Sequence, residues 1–149
     1  MRRVFLDANV LFAGTLSAVG ASRLVLLLAR ERIYRFLTSR LAFWEAERNL
    51  REKAGARALR VFYFLLKKSA IDMASDACSQ DVEAFQKIIH VKDAPVIAAA
   101  FAAQCDYFLT LDRKHFLKPK VRDAIARPRI LTPGEFIATV YLQGDEKDV

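Results

Sequence analysis

The chain has 149 residues, 54% of them hydrophobic, and its 24 basic and 17 acidic side chains give a net charge of +7. This length predicts one domain with a substantial core, and there is no internal repeat, linker or low-complexity segment. The longest uncharged apolar runs, residues 24–29 and 61–66, are too short to span a bilayer. Asp7 interrupts any signal-peptide apolar region, so a cytoplasmic protein without membrane contact is expected.

Predicted strands alternate with predicted helices along the chain. Short apolar runs predict strands at residues 3–6, 33–37, 71–74, 107–111 and 129–131. Helical patterns occupy residues 10–16, 24–28, 40–53, 56–68, 81–89, 96–103, 121–126 and 135–142. The order predicts an α/β fold of three layers, with helices on both faces of a mostly parallel, twisted sheet of four to five short strands. The domain is expected to span residues 1–143, followed by a polar tail at 144–149.

Two helices allow more than one interpretation. In the helix at 40–53, Leu41, Trp44 and Leu50 are predicted to share the face that packs on the core. In the next helix, the six apolar residues 61–66 cover nearly the whole circumference. Such a helix either lies buried between layers or presents an oligomer or partner surface.

Acidic residues stand at the ends of two predicted strands. Asp7 ends the first strand and Asp112 ends the fourth. In a parallel sheet both would lie at the carboxyl edge, where ligands bind at the reversal of strand order. Asp93 precedes Pro95 and predicts a helix N-cap, and the topology alone leaves its position relative to this edge open. Taken singly, each acid is also explained as a turn, cap or solvated residue.

Carboxylates that converge on one cleft repel each other unless a cation neutralises them. Oxygen ligands of this kind select Mg²⁺ or Mn²⁺, and the sequence has no His/Cys set with zinc spacing. Seven Lys or Arg and a single Asp occupy residues 113–129, directly after Asp112. A cation site beside a basic segment favours cleavage of a phosphodiester.

Four segments carry a family resemblance: VFLDANVL, SRLAFWEAERNL, KDAPVIAAA and DYFLTLD. Together they make nearly the whole chain resemble the PIN domain, in particular the VapC-like toxins of bacterial and archaeal toxin–antitoxin pairs. The resemblance implies that four acids bind Mg²⁺ or Mn²⁺ for RNA cleavage; they are Asp7, Glu45, Asp93 and Asp112. The metal would be held chiefly by Asp7, Asp93 and Asp112, with Glu45 as a ligand or as the residue that positions the attacking water.

The resemblance also implies supporting residues and one departure. Asn9 and Thr110 match polar positions near the first and last acid, and Thr110 would order the acidic site. Leu111 stands where the family usually has glycine, which predicts either that Asp112 is displaced or that it contributes less to metal binding. The helix pattern favours Glu45 over Glu47 as the second acid.

Several charged residues lie close to the predicted site. Arg113, Lys114 and Lys118 follow Asp112 and are interpreted as RNA phosphate contacts or as a solvated basic loop. His115 and His90 are more simply explained as turn residues than as functional ones. Cys78 and Cys105 have apolar neighbours and are interpreted as reduced, packed thiols.

The leading hypothesis is a metal-dependent endoribonuclease that acts as the toxin of a toxin–antitoxin pair. It implies an RNA substrate, a cognate antitoxin partner and, as is usual in the family, a homodimer. Two alternatives remain: a non-catalytic RNA-binding PIN domain, and a protein-interaction module that uses residues 61–66.

Overall fold

The computed structural model of the protein describes residues 1–144. Five parallel strands form one sheet in the order β3-β2-β1-β4-β5. The strands are β1 Arg3–Leu6, β2 Arg35–Ser39, β3 Ile71–Ala74, β4 Tyr107–Leu109 and β5 Arg129–Leu131. Their short apolar runs fit a parallel sheet because both faces of such a sheet are covered.

Helices cover both faces of the sheet, as predicted. They are α1 Ala8–Leu16, α2 Ala21–Leu28, α3 Arg40–Lys53, α4 Gly55–Lys68, α5 Ser79–Gln86, α6 Ala94–Ala102, α7 Pro119–Ala124 and α8 Pro133–Phe136. A π-helical segment, Ile137–Tyr141, follows α8. Alternation along β1 divides the core, because Val4 and Leu6 pack with α1 to α4 and α8, whereas Phe5 packs with α5 to α7. The three-layer α/β/α prediction is confirmed.

The strand order reverses between β1 and β4. The chain builds β1, β2 and β3 toward one edge of the sheet and then crosses back to place β4 and β5 on the other side of β1. Leu6 pairs with Leu109 at the carboxyl ends of these strands, and the Asp7 N–H donates to the Leu109 carbonyl at 3.0 Å. The residues that follow β1 and β4 therefore meet at the place where parallel sheets bind ligands.

The face of α3 that packs on the core differs from the prediction. The buried residues are Ala42, Ala46 and Leu50, whereas Trp44 is 56% exposed and Leu41 lies at the surface. Small alanines allow α3 to approach α1 closely, so the bulky side chains project from the opposite side of the helix. The predicted Leu41–Trp44–Leu50 stripe was wrong.

The apolar helix α4 lies at the surface rather than between layers. Phe62 and Leu65 are buried, but Phe64 is 60% exposed and Tyr63 is also exposed. The interpretation as a buried helix was therefore wrong, and the interpretation as a partner surface stays a hypothesis.

Other differences are local. The Ser39 side chain caps α3, and α2 begins at Ala21, directly after Gly20. Gly14 in α1 has a packing reason, because a Cβ there would meet the Leu26 side chain at 2.6 Å. Cys105 is buried as expected, whereas Cys78 is exposed. Of the predicted polar tail, residues 145–149 lie outside the described residues.

No helix in the described part of the chain is long and apolar enough to cross a membrane. The segments Ala8–Leu16 and Ala21–Leu28 meet the length and hydropathy requirements only as a pair, and they are bent by 101° relative to each other.

Candidate metal centre

Asp7 is a buried carboxylate at the start of α1. It follows β1 directly, and its Oδ1 accepts a hydrogen bond from the Ala8 N–H at 2.8 Å. Its Oδ2 accepts one from the Thr110 hydroxyl, also at 2.8 Å. Burial raises the pKa of Asp7 from 3.8 to about 7, with the charges of Glu45 and Asp93 adding to the rise and the two hydrogen bonds opposing it. A neighbouring cation would relieve this cost.

Asn9 and Thr110 join the ends of β1 and β4 through a hydrogen-bond network. The Asn9 amide donates to Thr110 Oγ1 at 3.1 Å, and its carbonyl oxygen accepts from the Leu111 N–H at 2.9 Å. The Asp112 N–H donates to Thr110 Oγ1 at 3.1 Å. Because Thr110 also donates to Asp7, one hydroxyl orients both acidic segments, which is a geometry suited to the supporting role expected of these residues.

Leu111 is accommodated without backbone strain. Among the non-glycine residues described, positive φ angles occur at Arg32 and Gln104, so Leu111 does not adopt the left-handed conformation that would favour glycine. Its side chain is exposed. Asp112 is anchored by the N–H groups of Lys114 and His115, each 3.0 Å from its Oδ1. Leu111 therefore imposes no left-handed backbone strain before Asp112, and the effect of Leu111 on the position and metal binding of Asp112 stays a prediction.

Asp93 lies at the N-terminus of α6 but does not cap it. No side-chain hydrogen bond reaches the first turn, and the residue has a helical backbone conformation. The predicted helix start is confirmed, because Asp93 directly precedes α6 and Pro95 lies in its first turn, whereas the predicted side-chain cap is absent. Its Oδ2 is buried, accepts no hydrogen bond from a described residue, and lies 3.3 Å from His115 Nδ1. Burial raises the pKa of Asp93; His115 counteracts that rise and Asp112 adds to it.

His115 is the member of this centre that sequence reasoning missed. Its Nδ1 lies 3.0 Å from Asp112 Oδ2 and 3.3 Å from Asp93 Oδ2. One ligand atom from each of Asp93, Asp112 and His115 lies within 4.8 Å of the others. The sequence signal for His115 was its D-x-x-H spacing from Asp112. Asp112 accepts hydrogen bonds from the backbone of the turn that follows it, and this turn places the His115 ring beside the Asp112 carboxylate. The structure thus resolves the open position of Asp93, which lies at the same edge of the sheet as Asp112.

Glu45 is more peripheral than the three aspartates. It is exposed on α3, and its charge contributes to the raised pKa of Asp7. Glu47 is engaged elsewhere, because it accepts a hydrogen bond from the Tyr63 hydroxyl and lies 3.7 Å from Arg51. Glu45 lines a cleft of about 440 Å³, here called the α3 cleft. Its lining consists of Leu41, Trp44, Glu45, Glu47, Arg48, Arg51, Lys92 and Val96.

The basic residues after Asp112 remain free to meet a ligand. Arg113, Lys114 and Lys118 are all exposed. Phe116 anchors the segment that carries them to the sheet. Its ring is buried against Phe108 of β4, with 4.7 Å between the ring centroids. Their role as phosphate contacts stays a prediction.

The donor set fits a hard divalent cation. Asp93 Oδ2 is a buried oxygen without a hydrogen bond, and the carboxylate of Asp112 lies close to it. Carboxylate oxygens suit Mg²⁺ and Mn²⁺, and an imidazole nitrogen is better tolerated by Mn²⁺. Among the described residues, the group within 4.8 Å includes neither Asp7 nor Glu45. Asp7 is linked to Asp112 through the Thr110 hydroxyl, and the charges of Glu45 and Asp93 both act on Asp7.

Two solved structures share this fold. A VapBC2 complex from Rickettsia felis, bound to a DNA fragment from its promoter, aligns with a TM-score of 0.62 and 16% identity over 80% of this chain and 95% of that chain. A toxin–antitoxin complex from Klebsiella pneumoniae aligns with a TM-score of 0.55 and 17% identity over 87% of this chain and 97% of that chain.

At the sequence level, no curated protein matches the chain significantly. The family model of the PIN domain, however, matches residues 3–114, which include every acid of the candidate centre. The chain therefore belongs to the PIN domain family.

Proposed function

We propose that the protein is a metal-dependent endoribonuclease and acts in the cytoplasm as the toxin of a toxin–antitoxin pair. The observation that carries the proposal is the convergence of Asp93, Asp112 and His115 around a buried carboxylate oxygen without a hydrogen bond. Membership of the PIN domain family and the basic segment after Asp112 support the same function. The fold shared with two toxin–antitoxin complexes supports a cognate antitoxin as partner, and we extend the proposal to a homodimer.

Each residue is assigned a role that its surroundings suit. Asp7, Asp93 and Asp112 would hold Mg²⁺ or Mn²⁺, with Asn9 and Thr110 keeping Asp7 and Asp112 in register. The bound ion would supply positive charge that favours ionisation of an attacking water and stabilises the leaving oxygen. Glu45, exposed at the margin, would position that water. Arg113, Lys114 and Lys118 would bind RNA phosphates.

The test is cleavage of single-stranded RNA by the full chain with Mn²⁺ or Mg²⁺. We expect Asp93→Asn to lower the cleavage rate by at least about 100-fold without unfolding the protein, because it removes one of the two carboxylate charges of the Asp93–Asp112 pair and leaves the fold contacts intact. Asp123→Asn, the same change at an exposed residue of α7, is the matched control and should cleave like the wild type. Full activity of Asp93→Asn would contradict the proposal.

Calorimetry separates the enzyme from a non-catalytic RNA-binding PIN domain. The proposed function predicts a heat of Mn²⁺ binding that Asp93→Asn removes. The alternative predicts RNA binding with no such heat in either protein.

A further inference from the structure

We propose that the α3 cleft is a nucleobase-binding subsite in which Trp44 stacks on an unpaired base of the RNA. The inference rests on the proposed ribonuclease function and names the residue that would contribute to its substrate preference. It comes from four features of the cleft: an exposed indole, two cations that form no salt bridge with a described residue, a volume of about 440 Å³, and lining residues that neighbour or act on the acids of the metal centre.

Trp44 is a large apolar ring held at the surface by its place on α3. The buried positions of this helix are Ala42, Ala46 and Leu50, so Trp44 projects away from the core and is 56% exposed. The guanidinium of Arg40 lies 5.8 Å from the ring centroid and is itself held by Asp76 at 3.2 Å. A ring positioned in this way and open to solvent is a ready stacking platform, since every base has a π face.

The charges around the ring favour a nucleic acid over an apolar protein segment. Arg51 has an acidic neighbour in Glu47, but Arg48 and Lys92 form no ion pair with another described residue. An apolar helix laid into the cleft would strip water from these two cations without pairing them, which is costly. A nucleotide pairs them with phosphate while its base covers the indole.

Two residues connect the cleft with the candidate metal centre. Glu45 belongs to its lining and acts electrostatically on Asp7. Lys92, which also lines the cleft, is the residue before Asp93. A base stacked on Trp44 therefore belongs to a nucleotide close to the phosphodiester that the acids would attack.

Trp44 is also the only tryptophan of the chain, so its fluorescence reports on the cleft alone. The first experiment uses the full-length Asp93→Asn protein in EDTA, which removes cleavage from the measurement. The probes are an end-labelled single-stranded RNA of eight nucleotides and an abasic ribose-phosphate of the same length. We expect the RNA to quench Trp44 emission, whereas the abasic strand binds more weakly by anisotropy and leaves the emission unchanged.

Binding of the RNA by anisotropy without any change in Trp44 emission would overturn the inference. Quenching by the purified antitoxin but not by RNA would overturn it too, because the cleft would then be a protein interface.

The second experiment measures cleavage of the same RNA by otherwise wild-type protein with Mn²⁺. Loss of one stacked base corresponds to roughly a 5- to 160-fold weaker contact. Trp44→Ala should therefore lower kcat/KM by about tenfold, while Trp44→Phe retains most of it. Phe64→Ala is the matched control, because Phe64 is similarly exposed, lies 5.8 Å from the Lys68 ammonium and does not line the cleft.

The two proposals fail in distinguishable ways. If the wild type cleaves RNA and Trp44→Ala cleaves equally well, the stacking subsite is wrong and the ribonuclease assignment stands. If the wild type does not cleave RNA with either metal, the proposed function fails, and the quenching experiment still decides whether Trp44 contacts bases.

Discussion

At the residue scale, the candidate centre depends on two carboxylates whose burial disfavours their charged form. Asp93 leaves the first turn of α6 without a side-chain cap, and its Oδ2 is buried without a hydrogen bond. Asp7 caps α1 but is buried so deeply that its pKa rises to about 7. Both arrangements disfavour a charged carboxylate in the protein alone, and both become favourable beside a cation.

His115 is predicted to be a metal ligand, since its Nδ1 lies within 3.3 Å of a carboxylate oxygen of both Asp93 and Asp112. We expect His115→Gln to weaken Mn²⁺ binding by about tenfold or more, measured by calorimetry. His90→Gln is the matched control, because the two imidazole rings are 5.4 Å apart but His90 is not in the ligand group. Tighter Mn²⁺ binding by His115→Gln would instead mean that the imidazolium competes with the metal.

At the element scale, α7 and α8 are linked behind the basic segment. Glu135 completes a capping box with Thr132 at the start of α8, and its carboxylate binds both terminal nitrogens of Arg122 on α7, at 2.8 and 3.0 Å. The capping box fixes where α8 begins after β5. The ion pair fixes α7, which follows directly after Lys118.

The Arg122 hydrogen bonds lower the pKa of Glu135 from 4.5 to about 2. Because the pKa of Glu135 is lower in the folded state, its ion pair with Arg122 stabilises the fold fully above pH 4.5. This contribution to the unfolding free energy disappears as the pH falls toward 2. Because Glu135 is partly exposed, we expect Glu135→Gln to lose at most about 1 kcal/mol of unfolding free energy at pH 7. Urea unfolding between pH 7 and pH 3 should show this loss shrinking below pH 4.5.

Glu83→Gln, at an exposed glutamate of α5, serves as the control and should show little loss at any pH. If Glu135→Gln lowers the unfolding free energy by the same amount from pH 7 to pH 3, the charge of the Glu135 carboxylate does not contribute to stability.

At the scale of the whole molecule, the net charge of +7 and the acidic centre act on different parts of an RNA substrate. Cations bind phosphates along the strand and supply affinity, whereas the acids act at one bond. The parallel sheet brings the two together, because the basic segment begins directly after Asp112 at the carboxyl edge.

Replacing Arg113, Lys114 and Lys118 together by Gln is predicted to weaken RNA binding and its salt dependence. In the inactive Asp93→Asn protein, the slope of log affinity against log salt should become shallower by roughly 0.7 for each lost phosphate contact. Fluorescence anisotropy with a labelled single-stranded RNA measures the slope. The same change at Arg57, Arg60 and Lys67, exposed cations of α4, is the control, and an equal change of slope there would contradict specific contacts after Asp112.

Much of the fold was predictable because its signals are local. Apolar runs marked most of the strands, whereas β3, which contains Asp72, was the weakest signal. The alternation of strands with helices implied a parallel sheet, in which Asp7 and Asp112 must share an edge. The family segments likewise identified Asn9 and Thr110, whose side chains indeed bond to each other. These conclusions need only the order of residues and the rule that strands of a parallel sheet end together.

Other features depend on which side chains meet across the fold. Periodicity placed Trp44 in the core, but the close approach of α3 through Ala42 and Ala46 turned it outward. His115 looked like a turn residue until Asp93, 22 positions earlier, came within 3.3 Å of it. The order of residues was enough for the elements, the sheet edge and the family, because these follow from local patterns and strand direction. The exposed indole and the carboxylate–imidazole cluster arose only on folding, because burial and contact between distant segments depend on how the layers pack.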